Sequence, residues 1–194
     1  MKLKPGQALP LIIHAAALVI FTTIFLLRKN YEFLGYVAVI LFFMWLIVYT
    51  NNKVNYPLAL VWGLTAWSIM HMSGGGILIS GKKLYETMIF NIVGEPYFIF
   101  KYDQLVHIIG FGVATFAMYT LLNPILRPSS RKISLAIVVI MAGLGVGALN
   151  EIIEFFMTVF MANNGVGGYV NNSIDLVANL IGATIAGIFI VRKK

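Results

Sequence analysis

The sequence has no cysteine, and only 11% of its 194 residues are Asp, Glu, Lys or Arg. The missing cysteine excludes a disulfide scaffold and a thiol nucleophile, and it leaves the redox compartment unstated. A soluble domain is about one-quarter charged, so this chain lacks the polar residues to coat a water-facing globule. Acid is scarcer still: 7 Asp and Glu stand against 14 Lys and Arg, a net charge of +7. So few bases cannot build the dense basic face that nucleic acid requires, and no nucleic-acid partner is expected. Also missing are a Walker loop, an HExxH, a GxSxG, an internal repeat and a low-complexity tract. What is present is apolar: 60% hydrophobic residues and a mean hydropathy of +0.89. A soluble enzyme and a disordered tail are excluded, and a polytopic membrane protein remains. At roughly 30 residues per span with its loop, the chain holds about six helices and no separate soluble domain.

Six apolar runs give an all-α membrane helical bundle, a single domain over 1–194. The spans read as about 9–27, 33–50, 57–72, 103–122, 133–160 and 173–191. The basic start Met1-Lys2-Leu3-Lys4 and the first run resemble a signal peptide. The run is long and ends at Arg28-Lys29 without a small-x-small site, so it reads as an uncleaved span. Pro57 suits the opening of the third helix, and Gly74-Gly75-Gly76 is expected to end it. Counting Lys and Arg by side puts nine with the termini and the second and fourth loops, namely Lys2, Lys4, Lys53, Arg127, Arg131, Lys132, Arg192, Lys193 and Lys194. The other three loops hold five. Both termini are therefore expected in the cytoplasm, and the chain in the plasma (inner) membrane of the cell envelope.

Two connections stand out. Residues 74–102 form a long outer segment, too apolar for disorder. Within it, Leu84, Tyr85, Met88, Ile89 and Ile92 recur at helical spacing opposite Lys82, Lys83, Glu86 and Asn91. That pattern predicts a helix lying in the interface. Residues Ala162 to Asn172 carry no charge, and their Asn and Gly predict a short, tight loop over the bundle.

Ionisable residues within spans are costly and are functional candidates by default. Asp103 opens the fourth span, and His107 lies one turn deeper on the same face. Glu151 and Glu154 share a face of the fifth span beside Asn150. At about 1.5 Å per residue, Glu151 sits about 27 Å along that helix, near the outer surface. Asp175 opens the sixth span with Asn179 one turn below, and His71 closes the third. Each has a plainer reading. Asp103 and Asp175 suit helix caps. Glu151 and Glu154 could pair with Lys101 or Lys82, or face headgroup water. His107 could be a core histidine bonded to Asp103, His71 a boundary residue, and His14 a structural residue near the inner side. The coincidence of six such groups from four helices at one level favours function.

The chemistry open to the set is limited. A divalent ion such as Zn, Mn or Fe could be held by His71, His107, Glu151, Glu154 and Asp175. Asp103 could orient His107 as a general base, and paired carboxylates could serve as acid and base. The candidate catalytic residues are Asp103, His107, Glu151, Glu154 and Asp175. Ser73 and Ser173 stand in no nucleophile context. Gly143, Gly145 and Gly147, with Ala178, Gly182 and Ala186, allow close helix contact.

The segments Tyr102-Asp103-Gln104-Leu105-Val106-His107, Asn150-Glu151-Ile152-Ile153-Glu154-Phe155 and Asn172-Ser173-Ile174-Asp175, running on to Ala183, occur in this order. They resemble the VanZ-like membrane proteins and, more closely, the uncharacterised YjdF-type inner-membrane family, over about residues 71–187. Where this chain has Glu151 and Glu154, VanZ-like proteins tend to have Glu-x-x-Gln. The Arg often found in the VanZ loop before the last helix has no counterpart between Met161 and Ser173. YjdF-type proteins tend to have Trp-Asp where this chain has Tyr169 to Ser173. VanZ is associated with glycopeptide resistance, and the YjdF type carries no established chemistry. The resemblance implies a helical membrane bundle with its site on these segments.

Three function classes stay open. One is a membrane-embedded hydrolase or transferase on a lipid, lipid-linked or small-molecule envelope substrate. The second is an ion- or ligand-binding or transport protein. The third is an envelope-stress or structural membrane protein whose polar layer locks the bundle. Membrane lipids are partners in all three, and oligomeric state, substrate and metal identity are open.

Overall fold

The computed structural model describes residues 3–127, 131–161 and 167–193. Its six long helices are α1 (Ala8–Leu27), α2 (Tyr31–Val54), α3 (Leu58–Gly76), α4 (Tyr102–Leu122), α5 (Lys132–Phe160) and α6 (Tyr169–Lys193). Their ends follow local chemistry. The Asn30 side chain accepts from Phe33 N at 3.2 Å and caps α2. Asn55, with φ of 64°, closes the same helix in the left-handed region that asparagine tolerates. Pro57, extended at φ −65° and ψ 147°, caps the start of α3, and Pro124 lies in the 3-10 turn Asn123–Ile125 that follows α4.

Among the described residues, five helices are long and apolar enough to cross a membrane: α1, α2, α5, α6, and α4 with the 3-10 turn that follows it. The sixth, α3, carries Thr65, Ser68, His71, Ser73 and four glycines. It packs against α1, α2 and α4, so protein rather than lipid covers much of it. The chain is a polytopic helical bundle.

Hydrogen bonds show which helix ends meet. Gln7, at the start of α1, donates to Tyr56 O at 2.9 Å and accepts from Asn51 Nδ2 at 2.7 Å, near the end of α2. At the other end, Arg28 beyond α1 donates to Gly76 O of α3 at 2.6 Å. Tyr102, opening α4, donates through its hydroxyl to Met70 O at 3.2 Å. That end therefore gathers the close of α1, α3 and α5 and the start of α2, α4 and α6. Phe25, Phe33, Tyr36 and Met72 form a buried core just inside it.

The outer segment differs from its sequence reading. Residues 82–92 do not form a helix. β1 (Leu78–Ile79) pairs with β2 (Lys82–Lys83), a single 3-10 turn covers Leu84–Glu86, and β3 (Met88–Val93) pairs antiparallel with β4 (Ile99–Lys101). The i, i+4 apolar spacing coincided with a stretch rich in strand-forming Ile89, Phe90, Ile92 and Val93. Turn residues bound it: Ser80 and Gly81, both at positive φ, and Gly94 with Pro96.

Three boundaries are also corrected. α3 runs through Gly74, Gly75 and Gly76 rather than stopping before them, because rings from elsewhere fill the space their side chains would take. A Cβ on Gly74 would meet the Tyr85 ring at 2.5 Å, and one on Gly75 the Phe33 ring at 2.1 Å. α6 begins at Tyr169, not Ser173, so Asp175 lies in its second turn and is not a cap. Asp103 is likewise inside α4, whose first turn is closed by Gln104 Oε1 accepting from Lys101 N. Of the small residues, Gly143 meets Thr115, Gly147 meets Asn179 and Gly182 meets the Ile108 carbonyl, while Gly145 touches nothing. Lys2 and Lys194 of the charge count, and residues 162–166 of the expected tight loop, lie outside the described residues.

Candidate functional site

His107 sits near the middle of the polar layer, buried among α4, α5 and α6. α4 holds it one turn below Asp103, whose Oδ1 lies 3.6 Å from His107 Nε2. On the other side of the ring, Nδ1 lies 2.8 Å from Asn179 Oδ1 and 3.7 Å from Glu151 Oε1. The Asn179 amide fixes the proton. Its Nδ2 donates to Glu151 Oε1 at 3.3 Å, so its oxygen faces the ring and Nδ1 must donate to it. In the neutral imidazole the lone pair is then on Nε2, facing Asp103.

Amides from α6 and α4 hold the carboxylates. Glu151 Oε2 accepts from Asn172 Nδ2 at 2.7 Å. Asp175 Oδ2 accepts from Asn171 Nδ2, which also reaches Asp103 Oδ2 at 3.5 Å, and Gln104 Nε2 reaches Asp175 Oδ1 at 3.5 Å. Glu154, half-buried, accepts from Asn150 at 2.8 Å. Asp175 and Asn179 are essentially inaccessible, and Glu151 and His107 nearly so. Burying acids this deeply requires such donors or a bound cation.

Two sets of side chains bring one ligand atom each to within 4.8 Å of one another: Asp103, His107 and Asp175, and His107, Glu151 and Glu154. Five of the six residues expected from the sequence therefore meet around one imidazole. His71 belongs to neither set. Its Nδ1 is bonded to the Tyr85 hydroxyl at 2.6 Å, in a nest of Phe33, Tyr36, Trp67 and Tyr85 rings. It still opens on the same space. A half-open cavity of about 70 Å³ is lined by Glu32 and Tyr36 of α2, His71, Tyr85, Asp103, His107 and Glu154. That volume admits a few waters or a small ligand group.

The turn at Leu84–Glu86 covers the cavity. Tyr85 enters beside Gly74, and burial, with Asp103 and Glu154 nearby, pushes its phenol well above the usual tyrosine range. Lys83 reaches over to Glu32 at 3.3 Å and lies 5.3 Å from the centre of the Phe33 ring. The ion pair on the cover is thus Lys83–Glu32, not one from Lys82 or Lys101 to Glu151 or Glu154. His14 is buried and belongs to neither set. It borders an apolar cavity with Ile40 and Trp67, and its Nε2 has no partner among the described residues.

Sequence reasoning missed Asn171, Asn172, Tyr36 and the entry of the Tyr85 ring into the cavity, where it bonds His71. The two asparagines carried a signal, since they lie four and three residues before Asp175 at helical spacing. Tyr85 carried none, because its place depends on Gly74.

The family described as Predicted membrane protein (DUF2238) matches residues 9–194. The chain belongs to this family. The match spans all six helices and every residue of the cluster. Comparison with curated proteins and with solved structures gives no match.

Proposed function

We propose that the chain is a membrane-embedded, metal-assisted hydrolase or transferase acting on a lipid or lipid-linked envelope substrate. The observation that carries this reading is the state of His107: Nδ1 is engaged through Asn179 to Glu151, and Nε2 is left with its lone pair toward Asp103. That is how a ligating histidine is held, its second nitrogen bound to an oriented partner. Asp103, His107 through Nε2, and Asp175 would hold the ion. One imidazole and two carboxylates suit Zn, Mn or Fe. A bound ion would supply Lewis-acid polarisation and an acidified water.

The chain's own residues define the rest. Glu151 and Asn179 orient the ring, Asn171 and Gln104 orient Asp175, and Glu154 stands as the second acid or base at the cavity. Without a metal, the same Nε2 serves as a general base paired with Asp103. The resemblance of these segments to VanZ-like and YjdF-type proteins supports the location of the site on them, and the charge count favours the outer leaflet of the plasma membrane. A carrier is less well supported, because all seven acids lie at one end of the bundle or in its cover, and among the described residues no acid lies toward its other end.

Proteoliposomes of mixed envelope lipids, followed by mass spectrometry, test the reading. Wild type is expected to convert one lipid class, and His107→Ala to lose that conversion while keeping its elution profile. Conversion that survives His107→Ala would overturn it.

A further inference from the structure

We propose that the β3–β4 hairpin is a membrane-seated element, resting its apolar side chains in the headgroup–acyl boundary at the site's end of the bundle. Between residues 90 and 98 it exposes Phe90 (67%), Ile92 (66%), Val93, Tyr97 and Phe98, with Glu95 as its only charge. Phe90 stacks on Phe100 at 6.2 Å, so this is an ordered apolar face rather than scattered residues. An exposed patch of this kind marks an interaction surface.

Continuity points to lipid as the partner. β4 ends at Lys101 and α4 begins at Tyr102 without a linker, so the base of the hairpin lies where a span begins. Tyr102 N donates to Thr87 O at 2.9 Å, tying the hairpin to that helix end. Neighbouring helix ends there also expose large apolar side chains, including Leu26, Leu27, Tyr31, Phe156 and Phe160. Lys101 Nζ lies 5.7 Å from the centre of the Phe98 ring, a basic and aromatic pair suited to the lipid headgroup level.

Backbone chemistry limits the depth. A two-stranded hairpin has two unpaired edges whose N–H and C=O groups cannot be satisfied in hydrocarbon. The hairpin therefore lies on the bilayer, side chains down, and does not enter it. Asp103 follows two residues after β4, so this seat holds the mouth of the site at the lipid surface whatever reaction occurs there.

Because the chain has no cysteine, a single introduced one carries a spin label at a known place. Phe90→Cys, Ile92→Cys and Tyr97→Cys, each labelled in full-length protein in nanodiscs, are compared with Lys53→Cys at the opposite end. Power saturation at the three hairpin positions should show collisions with oxygen exceeding those with a water-soluble nickel chelate, the inverse of the ratio at 53. Nickel access equal to that at 53 would overturn the proposal. So would shielding from both reagents with dipolar broadening between labels, which would mean a second copy covers the face. Three separate positions keep the result readable if one variant does not fold.

Discussion

At the residue scale, side-chain amides hold the cluster together. Asn179 joins His107 to Glu151, and each partner is buried, so its loss leaves a buried donor and a buried carboxylate oxygen short of a bond. Asn179→Leu is expected to lower metal affinity by about 10–100-fold, read by competition with a chelating dye. Asn179→Asp should restore part of that affinity by accepting from Nδ1 again. Tyr85 gives a second test. Its folded-state pKa is raised by burial, so its contribution to stability is complete below the unfolded value of about 10 and is lost as pH rises above it. Thermal unfolding should therefore fall off more steeply above about pH 10 in wild type than in Tyr85→Phe. At neutral pH that variant should lose about 1 kcal/mol with the bond to His71. The acids and histidines of the site were legible in the sequence because ionisable groups in apolar helices announce themselves. Tyr85 and Tyr36 were not, since a tyrosine in an apolar run reads as filler until its hydroxyl is given a partner.

At the scale of elements, hydropathy located every long helix, and the errors fell where two signals competed. In residues 82–92 an i, i+4 pattern overlapped a strand-forming composition, and the flanking turns decided in favour of strands. At the end of α3, glycine's low helix propensity lost to packing, because the notches at Gly74 and Gly75 seat Tyr85 and Phe33. Gly75→Ala should cost about 1–3 kcal/mol through displacement of the Phe33 ring, with the loss seen as a lower melting temperature. Gly182→Ala should be the harsher change. Its Cβ would stand 2.1 Å from the Ile108 carbonyl oxygen, and backbone cannot rotate away as a ring can. Its expected signature is loss of the folded, monodisperse protein, whereas Gly145→Ala, facing open space inside α5, should leave melting unchanged or slightly raised.

At the scale of the whole molecule, the scarcity of charge becomes an arrangement. The acids collect at one end of the bundle and its cover, and most of the bases flank the other. From the positive-inside count we expect both termini in the cytoplasm and the site at the outer leaflet. Fusions of green fluorescent protein to the C-terminus should fluoresce, and fusions of periplasm-dependent alkaline phosphatase at the same point should be inactive. The opposite pair of results would move the site to the inner leaflet. The expected orientation rests on the Lys and Arg tally alone. The convergence of Asp103, Glu151 and Asp175 on one imidazole needed the rotation of α4, α5 and α6 about their axes, which close contacts such as Gly182 on Ile108 set and no linear pattern displays.

The central claim is that His107 holds a divalent ion together with Asp103 and Asp175. Elemental analysis of the full-length protein in nanodiscs tests it most directly, both as purified and after incubation with Zn, Mn or Fe and desalting. Wild type should retain one ion per chain, and His107→Ala and Asp175→Asn none, with all three eluting alike. Wild type that retains no ion even after reconstitution would contradict it.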